Sequence, residues 1–339
     1  MSRPADLSRG STPSRLDLLR KFRCLGLGEI RIILHSVAIV VSYNTCQTTL
    51  RCLQSVTAEP DVDVWLVDNG SIDGSADAVA AAFPAVHLIR SGTNLGFAGA
   101  NNLAIRQSGG DRVLLLNSDA FPRPGAVAAL HRYLDEHPQA AAVGPRLLNA
   151  DGSRQPSCFK FPGPVRSVFD FLLLTAAMPN QRIVGDYRAW PHDRDRTVDF
   201  VTGACLLIRR SALDAVGLLD ESFFFYFEEA DWCLRATRAG WTIGFTPAAE
   251  VVHEGGGSGK AEPDRVFNEF QRGHERFIRK HYGRAAVGIH RVTLGLGAVI
   301  RLAVFGTLRL LGRGDSATVR KWWRILLWTL GRRGPGLRG

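Results

Sequence analysis

A chain of 339 residues with 45% hydrophobic and 22% charged side chains has an ordinary globular composition and enough length to bury one large core or two moderate ones, which excludes global disorder. Its formal charge of +10 points to an anionic partner: nucleic acid, an anionic membrane surface or a phosphorylated substrate. The cysteines Cys24, Cys46, Cys52, Cys158, Cys205 and Cys233 are scattered without a C-x-x-C pair and read as reduced core thiols of a cytosolic protein.

Residues 1–15 are rich in Ser, Arg and Pro and lack the apolar core of a secretory signal. Residues 1–35 therefore read as a basic, disordered arm, and export is not expected. From Val37 the pattern becomes regular. A continuous apolar run at 37–42 predicts a strand buried on both faces. Residues 45–56, with Leu50, Leu53 and Val56 at helical spacing, predict a helix. Further strands are expected at 63–67, 86–89 and 112–116. Helices are expected at 75–83, 99–107 and 125–137, the last stopped by Pro138. Such alternation implies βαβ units: an α/β fold with a mostly parallel sheet flanked by helices. Polar residues gather at the strand ends, at Ser42 to Asn44, at Asp68 with Asn69, and at Asn117, Ser118 and Asp119. Parallel strands place those ends on one rim, where open α/β folds bind ligands.

Beyond Val143 the regularity gives way to Gly-, Pro- and Arg-rich loops as far as about Asp199. Residues 200–208 predict a strand interrupted by Gly203, and Ser211 to Asp214 has the spacing of a capping box. A helix is expected over 228–239, its acids Glu228, Glu229 and Asp231 at the start and Arg235 and Arg238 near the end, with Gly240 as its cap. An apolar run at 248–252 ends in His253. The stretch 292–311 is strongly apolar but carries Arg301 and Arg309, a poor transmembrane span. With Lys321, Trp322, Trp323, Arg324 and Trp328 beyond it, the tail 284–339 reads as a pair of basic amphipathic helices at an anionic membrane surface, or as a helical cap on the core.

Chemistry has several candidate seats. Asp119 beside a second oxygen ligand can hold a hard divalent cation against a diphosphate, although Asn-Ser-Asp after a strand also makes a turn or a helix cap. Asp68 can accept hydrogen bonds from a nucleobase or ribose, or belong to the turn that Asn69 and Gly70 favour. Residues 94–102 (NLGFAGANN) combine glycines and amides at a helix start, which suits a diphosphate. The only G-x-G near the start, at 26–28, precedes the first clear strand, and a P-loop lysine is absent, so a Rossmann dehydrogenase and a P-loop enzyme are both disfavoured. Three acids at one helix start repel one another and can raise one pKa toward that of a base. Asp231 has Arg235 one turn away for an ion pair, which leaves Glu229 the freer group. His253 can complete a metal site with Asp119 or be an ordinary histidine. The aromatic–basic interleaving of an RNA-binding sheet and a helix-turn-helix are both missing, so nucleic acid is not an expected partner.

Taken in order, VVSYN (40–44), VDNGSIDGS (67–75), NLGFAGANN (94–102), LLLNSDA (114–120), VTGACLLIRR (201–210), FFYFEEADWCLRATRAGW (224–241) and VVHEGG (251–256) resemble the inverting nucleotide-sugar glycosyltransferases of family 2, which have the GT-A fold. The resemblance covers about residues 37–257 and is nearest the bacterial rhamnosyltransferases of cell-surface polysaccharide. It implies a transferase domain at 36–283 that moves a sugar, L-rhamnose from dTDP-rhamnose or another donor sugar, to a hydroxyl of a lipid-linked or polysaccharide acceptor. It implies a cytoplasmic enzyme, peripheral at the inner face of the plasma membrane. Ser42, Asn44 and Asp68 would hold the nucleoside, and Asn94, Gly96, Asn117 and Ser118 would lie by the sugar diphosphate. Asp119 with His253 would ligate Mg2+ or Mn2+, Glu229 would be the base, and Gly203, Ala204 and Asp231 would face the acceptor. Two departures stand out: the family's Asp-x-Asp begins here with Asn117, and its base, commonly Asp, is Glu229. The reading that competes from the charge alone is a non-catalytic protein of basic membrane surfaces.

Overall fold

Buried Val- and Leu-rich segments build the parallel half of a sheet: β1 (Ser36–Ser42), β2 (Val62–Asp68), β3 (His87–Arg90) and β4 (Arg112–Asn117), in the order β3-β2-β1-β4. The computed structural model describes residues 36–171, 187, 190–255 and 263–331; the arm expected at 1–35 lies outside them. Helices α1 (Cys46–Val56), α2 (Ser75–Ala82) and α3 (Gly96–Gln107) make the crossovers. Ser42 lies opposite Asp68 and Val41 opposite Asn117. The strand ends therefore share one rim, as parallel pairing requires.

The second half mixes directions. After β5 (Ala120–Pro122) and α4 (Ala126–Glu136) come β6 (Ala140–Leu148), the short β7 (Arg154–Gln155) and β8 (Cys158–Phe159), and α5 (Pro164–Phe171). Then follow β9 (Arg196–Val198), β10 (Phe200–Val201), β11 (Cys205–Arg209), α6 (Arg210–Val216), α7 (Glu228–Arg238) and β12 (Thr242–His253). The sheet continues β4-β11-β6-β12-β5. β12 runs parallel to β6, whereas β11 runs against both β4 and β6. That reversal brings the start of β11 to the functional rim, where the amide of Asn117 donates to the carbonyl of Ala204 at 3.0 Å.

Three sequence expectations change. The strand at 200–208 divides at Gly203, and β10 pairs with β8 in a separate ribbon. β6 was unforeseen because Gly144 and Pro145 interrupt an Ala-rich run; Pro145 is tolerated beside the irregularity of β12 between Thr246 and Glu250. The capping box at 211 does not form: the N-cap of α6 is Arg209, with no side-chain cap. A cap arises at long range instead, where buried Glu59 accepts from the amides of Gly125 at 2.8 Å and Val127 at 3.1 Å at the start of α4.

Side chains leave the sheet into two cores. One packs Leu53, Val56, Leu130 and Leu134 of α1 and α4, and the other Ala98, Ala104, Trp232 and Ala236 of α3 and α7. Cys52, Cys158, Cys205 and Cys233 are buried free thiols, and Cys46 is half-buried. At the C-terminal side, α8 (Pro263–Leu310) is broken at Gly283, whose φ is +86°, and α9 (Ser316–Thr329) packs on it through Leu294, Ala298 and Ile325. Arg301 is housed within protein: its guanidinium donates to the carbonyl of Phe171 at 2.5 Å and lies 4.5 Å from the Trp322 ring. Among the described residues, α8 alone is long and apolar enough to cross a membrane, by length and composition only.

Candidate active site

The rim encloses a cavity of about 220 Å³ lined by, among others, Asn69, Asn94, Asn117, Asp119, Glu229 and His253. Its metal-capable corner is built by β5, whose antiparallel pairing sets Ala120 opposite His253. The amide of Glu254 donates to the carbonyl of Asp119 at 3.0 Å. These bonds hold His253 Nε2 3.3 Å from Asp119 Oδ1. On its other side His253 Nδ1 lies 2.6 Å from Gln155 Oε1. The Gln155 amide is oriented in turn, since its Nε2 donates to Asn149 Oδ1 at 2.9 Å and to the His253 carbonyl at 3.0 Å. Nδ1 therefore donates to Gln155, and Nε2 is the ring nitrogen that faces the carboxylate.

A carboxylate oxygen and a ring nitrogen that face each other can share a cation. The donor set of carboxylate oxygen and imidazole suits Mn2+ or Mg2+. Among the described residues no third His, Cys, Asp or Glu joins them, so a bound ion would complete its shell from water and the diphosphate. The wall supports the same reading. Asp119, Glu229 and Glu269 outnumber Arg265 around the cavity, a lining that favours a cation there.

The buried acidic corner is the start of α7. Its first turn is reached through Tyr226 and Phe227, both at positive φ (69° and 73°), and it buries Glu228 and Glu229 side by side at 4% and 9% exposure. Burial raises the pKa of Glu229, while the backbone at Glu229, Ala230, Gly203 and Phe227 holds it down. Burial, then the charge of Glu229, pushes Glu228 well above the usual carboxylate range. Both carboxyls are thus pushed above their usual range, Glu228 further than Glu229. Oε2 of each lacks a partner within the protein, and both side chains line the cavity.

The other expected residues fall into three groups. Asn94, Gly96, Asn117, Ser118, Gly203 and Ala204 line the cavity with Asp119, Glu229 and His253. Ser42, Asn44 and Asp68 stand behind that lining. Ser42 Oγ is buried against Thr49 Oγ1 at 2.8 Å, and Asn44 Oδ1 accepts from the Ile72 amide at 2.9 Å. Asp68 Oδ2 accepts from the Ser71 amide at 3.3 Å, whereas its buried Oδ1 has no protein partner, the signature of a place for a ligand donor. Asp231, expected toward the acceptor, lies elsewhere. Its Oδ1 meets Lys280 Nζ at 2.6 Å and His281 Nε2 at 2.8 Å, and its Oδ2 meets Arg235 Nε at 2.9 Å. Burial raises its pKa, but the hydrogen bonds from His281, Lys280 and Arg235 outweigh it and keep the carboxyl below its usual range. Asp231 is a helix-to-helix ion cluster and does not reach substrate.

Sequence reading missed Gln155, Asn69 as a brace, and Phe224 to Tyr226 as walls. Asn69 Nδ2 donates to Asn94 Oδ1 at 3.0 Å and its Oδ1 accepts from the Leu95 amide at 2.8 Å, and only the turn signal of Asn69 was local. Asn101 and Asn102 point away from a diphosphate: their amides donate to the carbonyls of Phe97 at 2.9 Å and Leu219 at 2.8 Å.

The model of glycosyl transferase family 2 matches residues 37–217. The N-acetylglucosaminyl-diphospho-decaprenol L-rhamnosyltransferase of Mycobacterium tuberculosis is 35% identical over 210 residues, 59% of this chain and 68% of that protein. The dTDP-rhamnosyl transferase RfbF of Shigella flexneri is 26% identical over 220 residues, 64% of this chain and 68% of that protein. In fold, the chain is similar to a mannosyltransferase from Pyrobaculum calidifontis in complex with GDP-Man and Mn2+, with a TM-score of 0.50 and 17% identity over 88% of this chain and 86% of that one. That likeness places the architecture among GT-A glycosyltransferases.

Proposed function

Since the chain belongs to glycosyl transferase family 2, we propose that it is a metal-dependent inverting transferase that moves L-rhamnose from dTDP-rhamnose to a hydroxyl of a lipid-linked or polysaccharide acceptor at the inner membrane surface. The observation that carries this reading is the placement of the Asp119–His253 pair and the buried Glu229 on one cavity. Nothing in the molecule favours the non-catalytic alternative.

Asp119 and His253 would hold the cation, and Asn117 offers an amide oxygen where the family commonly has a carboxylate. The bound ion supplies charge neutralisation at the departing diphosphate. Asp68 takes a donor from the nucleoside on its free Oδ1. Glu229 accepts the proton of the acceptor hydroxyl as that oxygen attacks the anomeric carbon in line. The new C–O bond forms on one face while the bond to the diphosphate breaks on the other, so the configuration inverts and the nucleoside diphosphate leaves with the electron pair.

The reading is tested by thermal shift with dTDP and Mn2+. The wild type gains several degrees that Asp119→Ala does not gain, and Glu229→Gln keeps the gain while turnover falls by roughly a hundredfold or more. An unchanged wild-type melting temperature at millimolar ligand counts against metal-linked donor binding, and full turnover by Glu229→Gln removes the base assignment. The donor sugar is read from a panel of nucleotide sugars.

A further inference from the structure

The aromatic segment that walls the active site has a second side. Phe225, Tyr226 and Phe227 cross α8 at Gly273, where a Cβ would come within 2.9 Å of the Phe227 ring and the Tyr226 carbonyl. Against that crossing lies a second cavity of about 330 Å³. Arg265, Arg272 and Arg276 line it, spaced by seven and four residues and so on one face of α8. Their guanidiniums are held in place: Arg265 lies 4.8 Å from the Phe224 ring centroid, Arg276 6.0 Å from that of Phe223, and Arg272 bonds Glu269 at 2.9 Å. Phe224, Phe225, Arg265 and Glu269 line both cavities, so the two adjoin.

Their charges are opposite in character. The first cavity is acidic and favours a cation. In the second, three guanidiniums meet one carboxylate, and guanidinium forks bind phosphate oxygens directly. We infer that the second cavity seats the diphosphate of a lipid-linked acceptor, so that the acceptor sugar crosses the shared aromatic wall toward Glu229. Beyond the break at Gly283, α8 carries the exposed apolar residues Ile289, Val292 and Leu296, along which a lipid chain would leave toward the bilayer. This inference rests on the transferase reading and names the acceptor class for its site.

The test uses the full chain in EDTA, which removes cation-dependent binding at Asp119, and titrates farnesyl diphosphate, farnesol and dTDP by calorimetry. Wild type binds farnesyl diphosphate, and Arg272→Gln/Arg276→Gln weakens it by roughly tenfold or more; farnesol and dTDP bind poorly to both. With Mn2+ restored, dTDP binds the variant as tightly as wild type, which also shows that the variant is folded. Equal affinity of both proteins for farnesyl diphosphate overturns the inference. So does dTDP binding in EDTA that the same variant loses, because the site would then serve the donor. Absence of Mn2+-dependent dTDP binding in wild type is a separate result and brings down the transferase reading itself.

Discussion

At the residue scale the site depends on protonation states fixed by neighbours. Gln155 does this for His253 across 98 residues of sequence, so no local pattern could reveal it, whereas Asp119, Glu229 and His253 were legible at strand and helix ends. Gln155→Leu removes the acceptor of the Nδ1 proton and frees the ring to present either nitrogen. Mn2+ affinity, measured by calorimetry with dTDP present, is expected to fall by roughly 10–100-fold, with Gln155→Glu restoring most of it. An unchanged affinity in Gln155→Leu would falsify the orienting role. Glu228 gives a prediction of the opposite sign. Its pKa is raised above the usual 4.5, so the folded state binds its proton more tightly than the unfolded chain does. The stabilisation linked to that proton is complete below pH 4.5 and is lost as pH climbs toward the folded-state value. Glu228→Gln does not titrate and escapes this loss. Its melting temperature should exceed that of wild type near neutral pH by roughly 2–4 °C per kcal/mol recovered. The difference should shrink as pH drops toward the ordinary carboxylate range, and a gap that does not vary with pH would refute the raised pKa of Glu228.

At the element scale, the active site is a set of backbone crossings that sequence periodicity only half discloses. Strands β1 and β4 were readable because each is an almost continuous buried run, and β2 and β3 because each is a short apolar run bounded by turn residues. The reversal of β11, which delivers Gly203 and Ala204 to the rim, has no signature in the sequence, because a buried strand reads the same in either direction. The aromatic segment before α7 is fixed by two glycines. Gly273 admits it against α8, and Gly96, at a φ of +74°, admits the Phe224 carbonyl, which accepts from the Phe97 amide at 2.9 Å. A Cβ at Gly96 would collide with that carbonyl. Gly96→Ala therefore combines left-handed strain with a steric clash and is expected to cost roughly 2–3 kcal/mol, a fall of about 5 °C or more in melting temperature. Donor affinity should fall with it, since Gly96 and Asn94 share the cavity. A variant that melts with wild type would mean that the segment is not clamped there.

At the scale of the whole molecule, the walls of the reaction cavity are acidic, and most of the exposed large apolar side chains among the described residues lie on or beside α8 and α9. The apolarity of 292–311 was evident in the sequence, but its division between core and surface was not. Leu294 and Ala298 face Ile325 in the protein, while Val292, Leu296, Val299 and Val304 are half exposed or more. Val292, Leu296 and Val299 recur at helical spacing and form one stripe, suited to lie in the headgroup region of a bilayer beside basic side chains, with Val304 off its line. Truncating the tail would confuse the test, because Trp328 donates to Glu275 at 3.0 Å and Arg324 meets Asp264 at 2.8 Å, ties that hold the tail to the first part of α8. Surface substitutions avoid this. Val292→Ser/Leu296→Ser/Val299→Ser removes three side chains worth roughly 1.5–3 kcal/mol each on full burial. It should lower partitioning onto phosphatidylglycerol vesicles by roughly tenfold or more in a sedimentation assay, with Mn2+-dependent dTDP binding intact. Added salt should weaken the remaining association, since what is left is electrostatic. Undiminished vesicle binding by the triple variant would show that the stripe serves a purpose other than the membrane.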